Sequence, residues 1–267
     1  MAKKRERKYP LDEHGNIDFN PMHKFTVKRT GKQVMRLQIM IRVSAMVVLA
    51  LFIIVLLLYL FSLFSNGAGR FTVSSSDGHR GLILSETADF ADVTSVLNAE
   101  AVEKMDNITY DWLPLDLTET DGSHNGKDYL CYTFYVKNSG KEDLDYRAYI
   151  DIDYVKLNVD DAARVQLYRN GEHVTYAKPN KDGNPEVDPR TDLTTQKEIQ
   201  YETTPFVDPN TVCDYVRPDF KVGDVDKYTV VVWLEGWDPE CVNDILGGEL
   251  KMSMFFEVLD PEDAVPV

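Results

Sequence analysis

The carboxylate and amide side chains between residues 182 and 192 are the first place in this sequence where residue type and spacing could do chemistry. Calcium prefers oxygen ligands of this kind and takes about six to eight of them in flexible geometry. The order of an EF-hand loop is missing, so an ordinary exposed polar loop is the competing interpretation. The calcium candidates are Asp182, Asn184, Glu186 and Asp188.

Residue patterns typical of enzymes are missing from the rest of the sequence. None of the 5 histidines belongs to an HExxH motif or to another paired-ligand spacing, so no catalytic zinc site is recognisable. The sequence also has no GxSxG elbow, no P-loop and no GxGxxG before a helix. Cys241 has no histidine base close to it in the sequence. We therefore expect a protein that is not an enzyme, has no catalytic residues and binds no small-molecule substrate, with calcium as its one candidate cofactor.

The sequence contains 3 cysteines, Cys131, Cys213 and Cys241. Cys213 and Cys241 lie in predicted loops on either side of an apolar strand, so they can meet at one end of a sheet, and a bridge there would contribute about 3 kcal/mol. Cys131 falls within a predicted strand and is expected to be a buried thiol. Cys213–Cys241 is the disulfide candidate, and three free thiols is the alternative, because sequence alone does not fix pairing.

Residues 43–64 read VSAMVVLALFIIVLLLYLFSLF and contain no charged side chain. As a helix, this segment would span roughly the 30 Å of a bilayer's hydrocarbon core. The preceding segment and the apolar run are both longer than those of a cleaved signal peptide. The sequence therefore predicts a transmembrane helix in contact with membrane lipid. Small residues follow the apolar run, so cleavage near Gly67 remains the alternative.

Charge is unevenly distributed along the chain. Residues 1–42 contain eleven basic and four acidic residues, a net +7, so the remaining residues carry −22 of the total of −15. The positive-inside rule predicts a single-pass protein of the cell membrane, with a cytoplasmic N-terminus and an extracellular C-terminal domain. An acidic domain repels nucleic acid and favours basic partners, so we expect no nucleic-acid binding.

These patterns predict five regions. Residues 1–42 form a basic cytoplasmic tail with too few apolar residues to make a core, and most of it is expected to be disordered. Residues 43–64 are the signal anchor and 65–70 a short linker. Residues 71–259 form the extracellular domain, and 260–267 a disordered C-terminus.

The extracellular region has the alternating pattern of half-buried strands. The apolar segment 228–234 is expected at the centre of a sheet, buried on both faces, and Asn170-Gly171 favours a type I′ hairpin turn. Helix is expected only at 93–104 and as a short turn at 240–246, and 178–197 is expected to be a long loop. Strands are predicted at 71–75, 82–85, 129–137, 146–156, 165–168, 173–177, 228–234 and 250–258. The predicted fold is all-β, an antiparallel β-sandwich of jelly-roll type preceded by one transmembrane helix.

The C-terminal part of this sequence resembles the TasA/camelysin family of Gram-positive surface and biofilm-matrix proteins. The resemblance lies in VGDVDKY at 222–228 and WLEGWDPECVNDILGGELKMSMFF at 233–256, with similar stretches at 135–140 and 165–177. It covers about residues 70–258 and implies a jelly-roll ectodomain with a role at the cell surface or in matrix fibres. Members of the family have a short cleaved leader, whereas this chain has a long basic tail and a retained apolar segment.

Four functions follow as hypotheses, one of them a hydrolase that uses acids of the 182–192 loop, with or without a metal ion. The leading one is a non-enzymatic, membrane-tethered extracellular protein that acts by binding or assembly, with another surface protein or a second copy as partner. The second is a cleaved and secreted fibre subunit that assembles by strand addition. The third is a transmembrane protein that signals through its basic cytoplasmic tail.

Overall fold

The structure is a computed structural model that describes His14 and residues 27–65 and 69–260. The disorder predicted for most of the N-terminal tail and for 260–267 lies outside these residues, except at His14 and Asp260. The chain divides into two compact units, residues 1–65 and 66–267, which are described separately below.

The first unit contains one long helix, α1, Val27–Ser65. Its window Ile39–Leu56 has a mean hydropathy of 2.8 and contains no buried residue. A helix that is apolar on every side suits the interior of a bilayer and not a water-facing surface. The sequence prediction of one helix long and apolar enough to span a membrane is confirmed.

Strands make up almost all of the regular secondary structure of the second unit. They are β1 Gly69–Ser75, β2 Leu82–Ser85, β3 Val96–Asn98, β4 Gly122–Ser123, β5 Tyr129–Asn138, β6 Leu144–Lys156, β7 Ala163–Arg169, β8 Glu172–Ala177, β9 Val187–Thr191, β10 Glu198–Glu202, β11 Thr204–Pro205, β12 Thr211–Phe220, β13 Val225–Leu234 and β14 Glu249–Val258. Short 3₁₀ turns occur at Gly78–Arg80, Tyr110–Trp112, Val159–Asp161 and Asn243–Ile245.

The strands form two large sheets and one small ribbon. One sheet has five strands in the order β12-β6-β14-β1-β3. The other has the order β11-β8-β7-β13-β5-β2, with β4 also paired to β5, and β9 and β10 form the ribbon. Most neighbours are antiparallel, but β1 runs parallel to β14, and β11 runs parallel to β8. The sheets are therefore mixed, which corrects the expectation of purely antiparallel pairing.

The two large sheets share one apolar core. Phe256 of β14 packs against Phe134 and Tyr228 of the facing sheet, with ring centroids 6.0 and 5.3 Å apart. A second, smaller apolar cluster on the outer side of β13 contains Trp233, Leu113 and four other buried residues. This cluster explains why β13 is buried on both faces, as its apolar sequence predicts.

The local sequence patterns agree with the structure at one predicted turn and disagree with it in two segments. Asn170 and Gly171 have φ of 52° and 91°, and they connect β7 and β8 as an antiparallel hairpin, in agreement with the predicted turn. The helix expected at 93–104 is wrong, because this segment contains β3, which pairs with β1. The loop expected at 178–197 is wrong in part, because β9 begins at Val187 and pairs with β10.

Candidate functional site

Two neighbouring features are built around the connection between β13 and β14, residues 235–248. Tight turns shape this connection, with hydrogen bonds from Cys241 N to Asp238 O at 3.0 Å and from Gly248 N to Ile245 O at 2.9 Å. Its first half contributes acidic side chains to a buried group of charges, and its second half lines a cleft. We call the first the Arg164 cluster, namely Arg164, Glu186, Asp188, Arg190, Glu235, Asp238 and Glu240, and the second the end cleft.

Arg164 of β7 is fully buried and organises the cluster. Its Nη2 donates to Asp188 Oδ1 at 2.8 Å, and its Nε donates to the same carboxylate at 3.1 Å. Nη2 also lies 2.9 Å from Asp238 Oδ2, an ion-pair distance. The angle there is not that of a hydrogen bond, and Oδ2 accepts none from the described residues. Burial acts to lower the pKa of Arg164, but the hydrogen bonds to Asp188 and the negative charges of Asp188 and Asp238 outweigh it, so the pKa is raised.

Arg190 lies two residues beyond Asp188 on β9, on the same face of the strand. Its guanidinium carbon lies 3.8 Å from the ring centroid of Tyr110 and 3.6 Å from that of Tyr201. Its Nη2 donates to Thr175 Oγ1 at 3.3 Å. Stacking between two rings holds this buried cation in place and fixes β9 against the larger sheet.

Three carboxylates of the cluster converge. One oxygen each of Glu186, Asp238 and Glu240 lies within 4.8 Å of the others, and the first two residues are buried. Burial, and then the charge of Asp238, raises the pKa of Glu186. Burial also raises the pKa of Glu235, although that carboxylate accepts hydrogen bonds from Trp233 Nε1 and Trp237 N. Two of the five carboxyl groups therefore resist ionisation.

The end cleft opens between the two sheets at the end where β1 begins, and its volume is about 600 Å³. That volume is within the range of small-molecule and peptide side-chain pockets. Its floor and walls are mostly apolar and include Leu130, Val232, Leu234, Leu250 and Met252. Charged residues lie around it, namely Arg70, Glu103, Lys104, Asp106 and Glu249. Val242 and Leu246, which also line it, expose 51% and 70% of their surface.

The four calcium candidates from the sequence do not form one site. The backbone N–H groups of Asp182 and Asn184 both donate to Asn180 Oδ1, which fixes an exposed turn. Glu186 and Asp188 lie in the Arg164 cluster, where Arg164 holds the Asp188 carboxylate. Glu186 instead approaches Asp238 and Glu240, two residues that were not among the sequence candidates. The signal that could have drawn attention to them is three acids within six residues, Glu235, Asp238 and Glu240, placed on either side of Pro239.

All three cysteines are free thiols in the structure, so the predicted Cys213–Cys241 bridge is not found there. Cys213 is a buried residue of β12 and not a loop residue, which removes the geometric premise of the bridge. Burial raises its pKa to about 12. Cys131 is buried as predicted, and its Sγ lies 2.9 Å from His124 Nε2, a contact that the sequence did not reveal. Burial raises the pKa of Cys131 to about 12 as well, so this pair holds a neutral thiol and not a nucleophile.

Comparisons with known proteins add little to this geometry. No protein-family model matches the chain, and no curated protein is similar to it. Among solved structures, a β-glucosidase from Kluyveromyces marxianus in complex with glucose matches with a TM-score of 0.24 and 14% identity. The selenomethionine-labelled form of a β-glucosidase from the same organism matches with a TM-score of 0.24 and 15% identity. Each match covers 68% of this chain but only 17% of the other, and at that TM-score the likeness carries no argument about fold or activity.

Proposed function

We propose that this chain is a non-enzymatic protein tethered to the cell membrane by α1, and that its β-rich domain acts outside the cell by binding a basic protein partner. The basic residues before the apolar segment support a cytoplasmic N-terminus through the positive-inside rule. The finer assignment of the domain as a jelly roll of TasA/camelysin type belongs to the same proposal and depends on the sequence resemblance.

The end cleft is the observation that carries the binding role. A cleft of about 600 Å³ with apolar walls and a charged surround accepts apolar side chains that are flanked by polar ones. Exposed apolar residues around such a cleft mark interaction surfaces on extracellular domains. Val242 and Leu246 provide such a surface on one side of the cleft.

Charge selects the class of partner. Residues 43–267 carry a net −22, and Glu103, Asp106 and Glu249 outnumber Arg70 and Lys104 around the cleft. This field repels anionic lipid and attracts a basic surface, and it accelerates the association of a basic protein. The occupant we propose is therefore a peptide segment with an apolar anchor between Lys or Arg residues, presented by another surface protein.

The test is selection of short random peptides on the full-length chain in nanodiscs of zwitterionic lipid. We expect peptides with an apolar residue between basic ones, and we expect Leu246→Asp to weaken their binding at least tenfold. Leu193→Asp is the matched control, because Leu193 is 68% exposed but lies outside the cleft lining. Selected peptides that bind both variants equally would contradict the proposal. A fluorescent fatty acid that binds in a Leu246-dependent way, with no peptide doing so, would show a lipid site instead.

Strand exchange between copies is a second candidate function, and the position of β1 favours it. β1 is the first strand of the domain, it follows the small residues near Gly67, and it pairs in parallel with β14 and with only three residues of β3. If cleavage frees its N-terminal end, β1 of one copy can pair with β14 of another copy, in place of that copy's own β1. Intact mass and N-terminal sequencing of cell-associated and released protein test this. A form beginning near Gly67 that makes filaments supports exchange, and full-length protein confined to the membrane contradicts it.

A further inference from the structure

We propose that Glu186, Asp238 and Glu240 form a calcium site beside Arg164. One oxygen of each carboxylate lies within 4.8 Å of the other two. Calcium binds oxygen at about 2.3–2.6 Å, so ligands on opposite sides of one ion are about 5 Å apart. The three oxygens are therefore already at the separations found around a single calcium ion.

One carboxylate oxygen of Asp238 is a second observation, separate from the clustering of the three acids, that points to a ligand. Its Oδ1 accepts a hydrogen bond from Glu240 N at 2.7 Å, but its Oδ2 is buried and accepts none from the described residues. A desolvated carboxylate oxygen without a hydrogen bond is costly. Arg164 Nη2 is 2.9 Å away at a poor angle and is already engaged with Asp188. A cation between Asp238 and its two acidic neighbours removes this cost.

The charge balance of the Arg164 cluster accommodates a cation when all of its carboxyl groups are ionised. The cluster holds five carboxyl groups and two guanidinium groups, which leaves three negative charges when all are ionised. Lys181 is the only further positive partner that the structure brings to the three proposed ligands in the described part of the chain, with its Nζ 3.0 Å from Glu240 Oε1. With all five carboxyl groups ionised, two negative charges remain, and one calcium ion would balance them.

Lys181 occupies the entrance to the proposed site. Its side chain is 83% exposed, whereas that of Glu240 is 12% exposed. Holding a long lysine side chain at a water-exposed pair contributes little stability. The ammonium can therefore swing into solvent when an ion binds, and it competes with calcium for Glu240.

A calcium ion there would also act on the end cleft. Asp238 and Glu240 immediately precede Cys241 and Val242, which line the cleft. Two ligands on this short stretch would hold one side of the cleft in place. The site itself does not depend on what the cleft binds, so it can be tested separately.

The experiment is calorimetric titration of calcium chloride into the full-length, chelator-treated chain in non-ionic detergent. We expect one site with a dissociation constant on the order of 10⁻⁴–10⁻³ M, the range of extracellular calcium modules. Glu186→Gln and Glu240→Gln each remove one charged ligand and should weaken binding at least tenfold. Asp182→Asn is the matched control, because this exposed acid is close in sequence but is not one of the three converging carboxylates. It should leave the affinity unchanged.

A second variant keeps the test decisive if a glutamine variant fails to fold. Lys181→Ala changes an exposed side chain and removes the competing ammonium, so calcium should bind several-fold more tightly. Absence of calcium binding by the unmodified chain would overturn the proposal. Equal affinity in the unmodified chain and both glutamine variants, or no tightening in Lys181→Ala, would place the ion elsewhere and overturn it as well.

Discussion

The Arg164 guanidinium, fully buried, binds the Asp188 carboxylate through two nitrogens, Nη2 at 2.8 Å and Nε at 3.1 Å. The two residues lie on β7 and β9, so this pair joins the small ribbon to the larger sheet. A buried ion pair contributes little net stability compared with apolar packing, but removing one partner leaves the other charge unpaired in a low-dielectric interior.

Arg164→Leu is therefore expected to lower the free energy of unfolding by about 3–5 kcal/mol, because Asp188 and Asp238 lose their cation. Arg147→Ala is the matched control, since Arg147 pairs with Asp214 at 2.7 Å on the exposed outer face. Its loss should cost less than about 1 kcal/mol. Urea unfolding followed by tryptophan fluorescence compares the two variants. Equal losses of unfolding free energy would mean that the buried Arg164–Asp188 pair contributes no more to stability than the exposed pair.

The two raised carboxyl pKa values predict how stability changes with pH in the absence of divalent cations. Burial raises the pKa of Glu186 and of Glu235 above the ordinary 4.5. At a pH between 4.5 and the raised pKa, each of these carboxyl groups has released its proton in the unfolded chain but still holds it in the folded chain. The stabilisation from each group is thus complete below 4.5 and is lost as the pH rises through the raised pKa.

We expect the unfolding free energy of the chelator-treated protein to fall with rising pH over this window, and to fall less steeply in Glu186→Gln. The glutamine cannot ionise, so its contribution is independent of pH. Urea unfolding at a series of pH values measures the difference between the two proteins. If the two curves run parallel above pH 4.5, Glu186 does not titrate in this range and its burial has no energetic consequence.

Glycine substitutions separate backbone strain from crowding. Gly81 and Gly223 both have positive φ, 98° and 91°, so alanine costs about 1–2 kcal/mol at either position. A Cβ on Gly81 would lie 2.4 Å from Gly140 Cα, whereas a Cβ on Gly223 would have no atom within 4 Å. Gly81→Ala should therefore cost a further ~1–3 kcal/mol from overpacking. Thermal unfolding of both variants checks this. Equal unfolding midpoints would show that the backbone at Gly140 moves away from the new Cβ of residue 81 at no cost in stability.

Local patterns predicted the strands whose burial alternates along the chain. β14 alternates strictly between buried and partly buried residues, as its sequence indicates. The Asn170-Gly171 turn was predictable because only certain residues tolerate two successive positive φ angles. β3 was not predictable, because its three residues become a strand only by pairing with β1. β9 carries Pro189 and charged residues that are buried against partners far away in the chain, so its sequence has the composition of a loop.

The Arg164 cluster could not be predicted from spacing for the same reason. Arg164, Asp188 and Asp238 come from three separate elements, and no local pattern links them. The sequence identified acids between 182 and 192 as ligand candidates, but it could not reveal that Arg164 engages Asp188 or that Glu186 faces Asp238 and Glu240. The disulfide prediction failed because it placed Cys213 in a loop, whereas an unrecognised strand, β12, buries it.

The three thiols should react with an alkylating reagent in a fixed order. Cys131 and Cys213 are buried, and burial raises the pKa of each to about 12, so neither offers an accessible thiolate near neutral pH. Cys241 is half-buried in the connection between β13 and β14. Its pKa is also raised, by burial and then by the charge of Asp238, so it should react slowly but first.

Timed alkylation with iodoacetamide, followed by peptide mass spectrometry, measures this order in the native chain. We expect modification of Cys241 alone, and modification of Cys131 and Cys213 only when the domain unfolds in urea. The urea-treated sample is the control for reagent access. A Cys213–Cys241 bridge would give a different result, because neither residue would react even in urea until a reductant was added. That outcome would mean that β12 moves far enough to bring Cys213 to the connection, and it would restore the pairing that the sequence suggested.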